Sequence, residues 1–190
     1  MSSIHTLKSR FKLANIIEKF IYINVAVFLL VFVFNTLGYL FQSNNNFITD
    51  WFILPATFDG FLSKPWTIIT YGFVHASLIH ILGNLIALFF VGNLFINYFT
   101  QKQFITFYIL GTLFGGGIFM FSYNFFPAFA NDVSNSVLLG ASAGVSAVFI
   151  GIATYIPNYQ FKIPLIGFIK LWYIAAFWMA LDVIQIPVSN

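Results

Sequence analysis

Five long apolar stretches, separated by short polar ones, make up most of the chain. They run from Phe20 to Leu40, Leu78 to Phe99, Gln103 to Met120, Val137 to Ile156 and Leu165 to Leu181. A helix rises about 1.5 Å per residue, so roughly 20 apolar residues cross a bilayer core of about 30 Å, and each stretch is predicted to be a membrane helix. The first is longer than a signal-peptide core and no small-residue cleavage site follows it, so it is read as a retained helix. After it, a polar turn from Gln42 to Asn46 leads into a long connection holding Trp51, Pro55, Asp59, Gly60, Pro65 and Trp66. That connection is too amphipathic to span and too aromatic to be disordered, which places it in the membrane interface. The expected fold is an all-α membrane bundle forming one domain over residues 1–190.

Composition supports lipid as the solvent. The chain is 60% hydrophobic and 7% charged, against about 25% charged for a soluble domain. Its 27 Phe, 9 Tyr and 4 Trp suit acyl chains and the headgroup boundary. The net charge of +3 comes from scattered residues, with no basic stripe that would hold nucleic acid. Without cysteine, disulfides, thiolate metal sites and cysteine nucleophiles are excluded. Charge also suggests orientation. Residues 1–19 carry Lys8, Arg10, Lys12 and Lys19; if that segment is cytoplasmic, the connections with Lys102 and Lys162, and nearby Lys170, fall on the same side. Seven of the eight Lys and Arg then obey the positive-inside rule, Lys64 being the exception.

Polar groups at membrane depth are costly, and they mark either function or an interhelical hydrogen bond. His80 and Asn84 stand at i and i+4 on one face of the second helix, close to its outer end, with His75 just above. Asn93 and Asn97, lower on that helix, are read as interhelical ties. The fourth helix is expected to open with Gly140-Ala141-Ser142-Ala143-Gly144 at the same depth as His80 and Asn84. A serine at a helix N-terminus has free backbone N–H groups around it that can stabilise an oxyanion. Packing is the competing explanation: Gly140, Gly144, Ala147 and Gly151, like Gly111 and Gly115, have the small-residue spacing of close helix contacts. Other chemistries find no support. There is no H-E-x-x-H or phosphate-cradling motif, and Asp182 has no second acid to form an aspartyl pair.

Taken together, Trp66 in the first outer loop, His75, His80 and Asn84 entering the second helix, and Gly140-Ala141-Ser142 opening the fourth resemble the signature of rhomboid proteases. The resemblance extends from about residue 20 to the end. It implies a six-helix membrane bundle that cleaves transmembrane proteins in or near their membrane segments, without a cofactor. Ser142 would be the nucleophile, His80 and Asn84 would stabilise the oxyanion, and His75 would be a structural ligand of the outer loop. Trp66 and Gly140 would support the site, and the long loop would be the family's membrane-embedded first loop. Partners would be transmembrane substrates and the bilayer, in a bacterial inner membrane with the site opening outward; oligomeric state is left open. Ala143 and Thr67 stand where many members have Gly and Arg. The family takes its general base from a histidine of the sixth helix, about ten residues after an Asp that Asp182 resembles. That base is expected beyond Asn190, and the 190-residue form is expected to be inactive. His5, in the N-terminal tail, is not a candidate for it. The alternative function is a non-catalytic rhomboid-like protein that binds or escorts membrane clients.

Overall fold

Helix starts in this chain are written in capping residues. Asn15 opens α1 (Ile16–Leu40) with a capping box: its side chain accepts the Glu18 N–H at 2.9 Å while the Glu18 carboxylate accepts the Asn15 N–H at 2.8 Å. Ser77 caps α2 (Leu78–Tyr98), its hydroxyl accepting the His80 N–H at 3.2 Å. Thr100 and Gln103 form a second capping box at the head of α3 (Gln101–Phe125). Two shorter helices follow, α4 (Ser142–Tyr155) and α5 (Leu171–Gln185). The computed structural model describes residues 9–42, 47–163 and 167–185.

Five main helices therefore stand where five apolar stretches were expected, and α1, α2 and α3 are long and apolar enough to cross a membrane unaided. Two boundaries differ. Val137–Leu138 forms a short strand, β2, paired antiparallel with β1 (Leu54–Pro55), so the fourth helix begins at Ser142 rather than Val137. Gln160–Ile163 (β3) and Gly167–Lys170 (β4) pair as a hairpin, which delays the fifth helix from Leu165, itself outside the described residues, to Leu171. Both segments are rich in β-branched and aromatic residues, and a short apolar run suits a strand as well as a helix.

The first-loop connection holds short helices at Phe47–Phe52, Phe58–Ser63 and Thr67–Thr70 and a 3-10 turn at Tyr71–Phe73. Through β1 and a bond from the Ala56 N–H to the Ser136 carbonyl (3.0 Å), it is fastened to the segment that leads into α4.

Helix α4 is the centre of the bundle, packed against α2, α3, α5 and the 71–73 turn, with Val145, Val148, Phe149 and Ile152 in the core. At 14 residues it is about 21 Å long, shorter than a hydrocarbon core of about 30 Å. Close approach to α3 depends on absent side chains. A Cβ on Gly115 would lie 2.6 Å from the Ala143 Cβ, and one on Gly144 would lie 2.9 Å from the Thr112 hydroxyl. The outer faces are apolar: Leu30, Phe32, Phe114 and Ile118 are each more than half exposed, a surface suited to lipid. At the other end of the bundle the Asn15 side chain donates to Asn93 Oδ1 at 3.2 Å, joining α1 to α2, while Asn97 is exposed.

Candidate functional site

Capping by Ser77 starts α2 so that His80 lies in its first turn and Asn84 one turn deeper, both on the side facing α4. There, His80, Asn84 and Ser142 line one cavity of about 410 Å³ together with Ser77, Ile79, Gly83 and Trp178. Ser142 is the first residue of α4. The N-cap, Ala141, offers no side-chain cap, and the Ala141 carbonyl takes its helical bond from the Val145 N–H at 2.9 Å. The backbone N–H groups of Ser142, Ala143 and Gly144 thus precede the regular helical ladder, at the positive end of the helix. Among the described residues the Ser142 hydroxyl has no hydrogen-bond partner.

Asn84 is buried, and its amide nitrogen donates to the His80 carbonyl of its own helix at 3.0 Å. That bond uses one of the two amide N–H groups, and Oδ1 has no partner among the described residues. An interhelical strut would bond to another helix; here the partner is one turn back on the same helix. The second N–H makes no hydrogen bond among the described residues.

His80 packs over Gly140, where a Cβ would fall 2.6 Å from its Cε1 and Nε2 atoms. Gly140 has φ +118°, a left-handed conformation that glycine tolerates. The site therefore needs glycine at this position twice over, for the backbone angle and for the ring above it. The His75 ring meets His80 edge-on, 5.1 Å between centroids. His75 itself is buried, and its Nε2 accepts the Ala141 N–H at 3.3 Å, one residue before Ser142. As Nε2 is the acceptor, the proton sits on Nδ1, which has the Phe73 carbonyl nearby but no bond of full hydrogen-bond geometry.

Burial, then the charge of neighbouring His80, pushes the His75 imidazole down to about 4, against the pull of the Phe73 carbonyl. Between about 6.5 and about 4 the unfolded chain binds a proton that the folded protein refuses. The stability contributed by neutral His75 is therefore complete above about 6.5 and is lost as pH falls through about 4, amounting to about 3 kcal/mol in all. Thermal unfolding in detergent, followed from pH 7.5 to 4, is expected to show this loss in the native chain. His75→Gln, which keeps an acceptor but cannot titrate, is expected to have a shallower pH dependence; an equal slope would contradict the assignment.

Trp66 does not line the cavity. Its indole N–H donates to the Trp51 carbonyl at 2.8 Å and the two rings stack 5.6 Å apart, while Lys64 donates to the Asp50 carbonyl at 2.6 Å. This is an organising contact of the first loop. Asp182 is in the last turns of α5, and its side chain lies outside those described, as does His5. Sequence reasoning missed Trp178, which reaches the cavity from α5 and donates to the Ser146 hydroxyl at 2.9 Å. In an apolar helix nothing distinguishes it. Ser77 was legible as an N-cap immediately before an apolar run.

Residues 62–190 match the family model described as Rhomboid domain, a span that contains every residue of the cavity as well as Trp66, His75 and Gly140. No curated protein matches the chain.

Proposed function

The chain belongs to the rhomboid family, whose members are generally intramembrane serine proteases acting on transmembrane substrates, and we propose that it is such an endopeptidase with Ser142 as its nucleophile. The observation that carries this reading is the polar cavity in which Ser142 meets His80 and Asn84 across a long sequence separation. Attack of the Ser142 hydroxyl oxygen on the scissile carbonyl forms the C–O bond and moves charge onto the carbonyl oxygen. Asn84, His80 and the backbone N–H groups at the head of α4 stabilise that charge. Collapse expels the amine with a proton, and water then hydrolyses the acyl-enzyme.

The proton acceptor for Ser142 is proposed to be a histidine outside the described residues, following Asn190. Two features support this: the Ser142 hydroxyl has no hydrogen-bond partner among the described residues, and His75 already accepts the Ala141 N–H. The orientation proposed from the lysine distribution opens the cavity to the outer side of a bacterial inner membrane.

The reading is tested by reconstituting two forms in liposomes with a transmembrane peptide: the 190-residue chain, and the protein with the residues encoded after Asn190. Fragments cut in or beside the membrane segment are expected from the longer form alone. Turnover by the 190-residue chain that Ser142→Ala abolishes would mean that a residue such as His80 is the base. Binding of the peptide by the longer form without cleavage would favour the client-binding alternative.

A further inference from the structure

Two consecutive amides lie just ahead of Ser142, and both are held by the same short piece of the first loop. The Gly140 N–H donates to the Tyr71 carbonyl at 2.9 Å, and the Ala141 N–H donates to His75 at 3.3 Å. The path of the chain into α4 is therefore only as well fixed as residues 71–75. Those residues include a 3-10 turn of three residues and the extended chain before α2, too little to hold their own position.

Their anchor is the Tyr71 side chain. Tyr71 is 1% exposed, and its hydroxyl donates to the Thr112 carbonyl of α3 at 2.6 Å. The ring passes over the glycines of that helix: a Cβ on Gly115 would stand 3.1 Å from the hydroxyl oxygen, and one on Gly116 would stand 3.1 Å from Cε1. The Gly116 N–H lies near the same oxygen, so the hydroxyl rests against the helical rung between Thr112 and Gly116. A second tie runs parallel, from the Tyr108 hydroxyl to the Gly72 carbonyl at 3.2 Å. Since α3 is itself packed on α4, the connections close a loop from α4 through the Gly140 turn, the 71–75 segment and α3 back to α4.

We propose that Tyr71 is a positioning residue of the site: by bonding its hydroxyl to the Thr112 carbonyl it fixes the turn that receives Gly140, and so sets where Ser142 and the amides beside it stand. The inference rests on Ser142 being the reacting serine, but its structural half holds independently of any activity. Removing the hydroxyl leaves Thr112 its helical partner and leaves the ring buried. What changes is the freedom of the 71–75 segment and, through it, of the Gly140 turn.

The test is hydrogen–deuterium exchange of Tyr71→Phe in detergent, read on the peptide that contains Gly140 and Ala141, beside melting temperature. Loss of one buried hydrogen bond is expected to speed exchange there by about three- to tenfold. Asn93→Ala, which breaks the distant tie between α1 and α2, is expected to lower the melting temperature without that local change. Placing 4-aminophenylalanine at position 71, which restores an N–H donor, is expected to return exchange to the native rate. Unchanged exchange in Tyr71→Phe, or equal acceleration in Asn93→Ala, overturns the proposal. A Tyr71→Phe chain that fails to fold while the 4-aminophenylalanine chain folds and exchanges faster than native overturns it too. In the protein with its proton acceptor, Tyr71→Phe is expected to lower kcat several-fold with KM unchanged. If native protein and Ser142→Ala are equally inactive, the protease reading has failed, and the exchange result still decides the positioning role.

Discussion

Replacing Ser142 by alanine in a form that carries the proposed proton acceptor is expected to lower cleavage of a transmembrane substrate by about four to six orders of magnitude, as nucleophile removal does in other serine hydrolases. The expected cost in stability is small. The hydroxyl has no partner among the described residues, the residue is half-buried, and alanine suits the first turn of a helix. Melting temperature should therefore stay within the range of a neutral surface change, about 0.5 kcal/mol. Loss of rate without loss of fold separates a nucleophile from a packing serine; a packing role would give a retained rate per folded molecule.

Asn84→Ala is expected to lower kcat by about ten- to a thousandfold while KM barely moves, because a donor aimed at an oxyanion is stronger in the transition state than in the ground state. An interhelical strut would behave otherwise, losing about 0.6 to 2 kcal/mol of stability with activity falling only as folded protein is lost. Here the amide nitrogen bonds to the His80 carbonyl within α2, and Oδ1 is buried without a partner among the described residues. Little inter-helix stability is therefore at stake. Melting temperature and single-turnover rate measured on one preparation decide between the two outcomes. A destabilised variant with an unchanged rate per folded molecule would return Asn84 to a structural role.

Hydropathy alone located the five helices, because a membrane helix needs an unbroken apolar run and leaves few other ways to read one. It could not locate the start of α4. Val137 and Leu138 are as apolar in a strand as in a helix, and what makes them β2 is a partner, Leu54–Pro55, far back in the first loop. The same ambiguity hid the β3–β4 hairpin. Capping residues would have sharpened other boundaries: Asn15 with Glu18 and Thr100 with Gln103 both have capping-box spacing, and α1 and α3 begin there.

In the site, the i, i+4 spacing of His80 and Asn84 and the depth of Ser142 were readable from residue types and topology. The supports were not. Tyr71 reads as one more aromatic in a loop, and its bonds to Thr112 and Gly140 join chain positions that no local pattern connects. In the sequence, Gly140 reads as a small residue of close helix packing or as part of the Gly140-Ala141-Ser142 motif. The structure gives it a left-handed turn, with the His80 ring lying directly above.

The central claim is that Ser142 is a nucleophile set in an oxyanion-stabilising cavity, and covalent labelling addresses it most directly. A form that carries the proposed proton acceptor would be treated with a fluorophosphonate, digested and mapped by mass spectrometry. A single phosphonyl adduct on Ser142 is expected, formed more slowly in Asn84→Ala and absent from unfolded protein. An adduct on a different residue, or cleavage of a transmembrane substrate that survives Ser142→Ala, would contradict it.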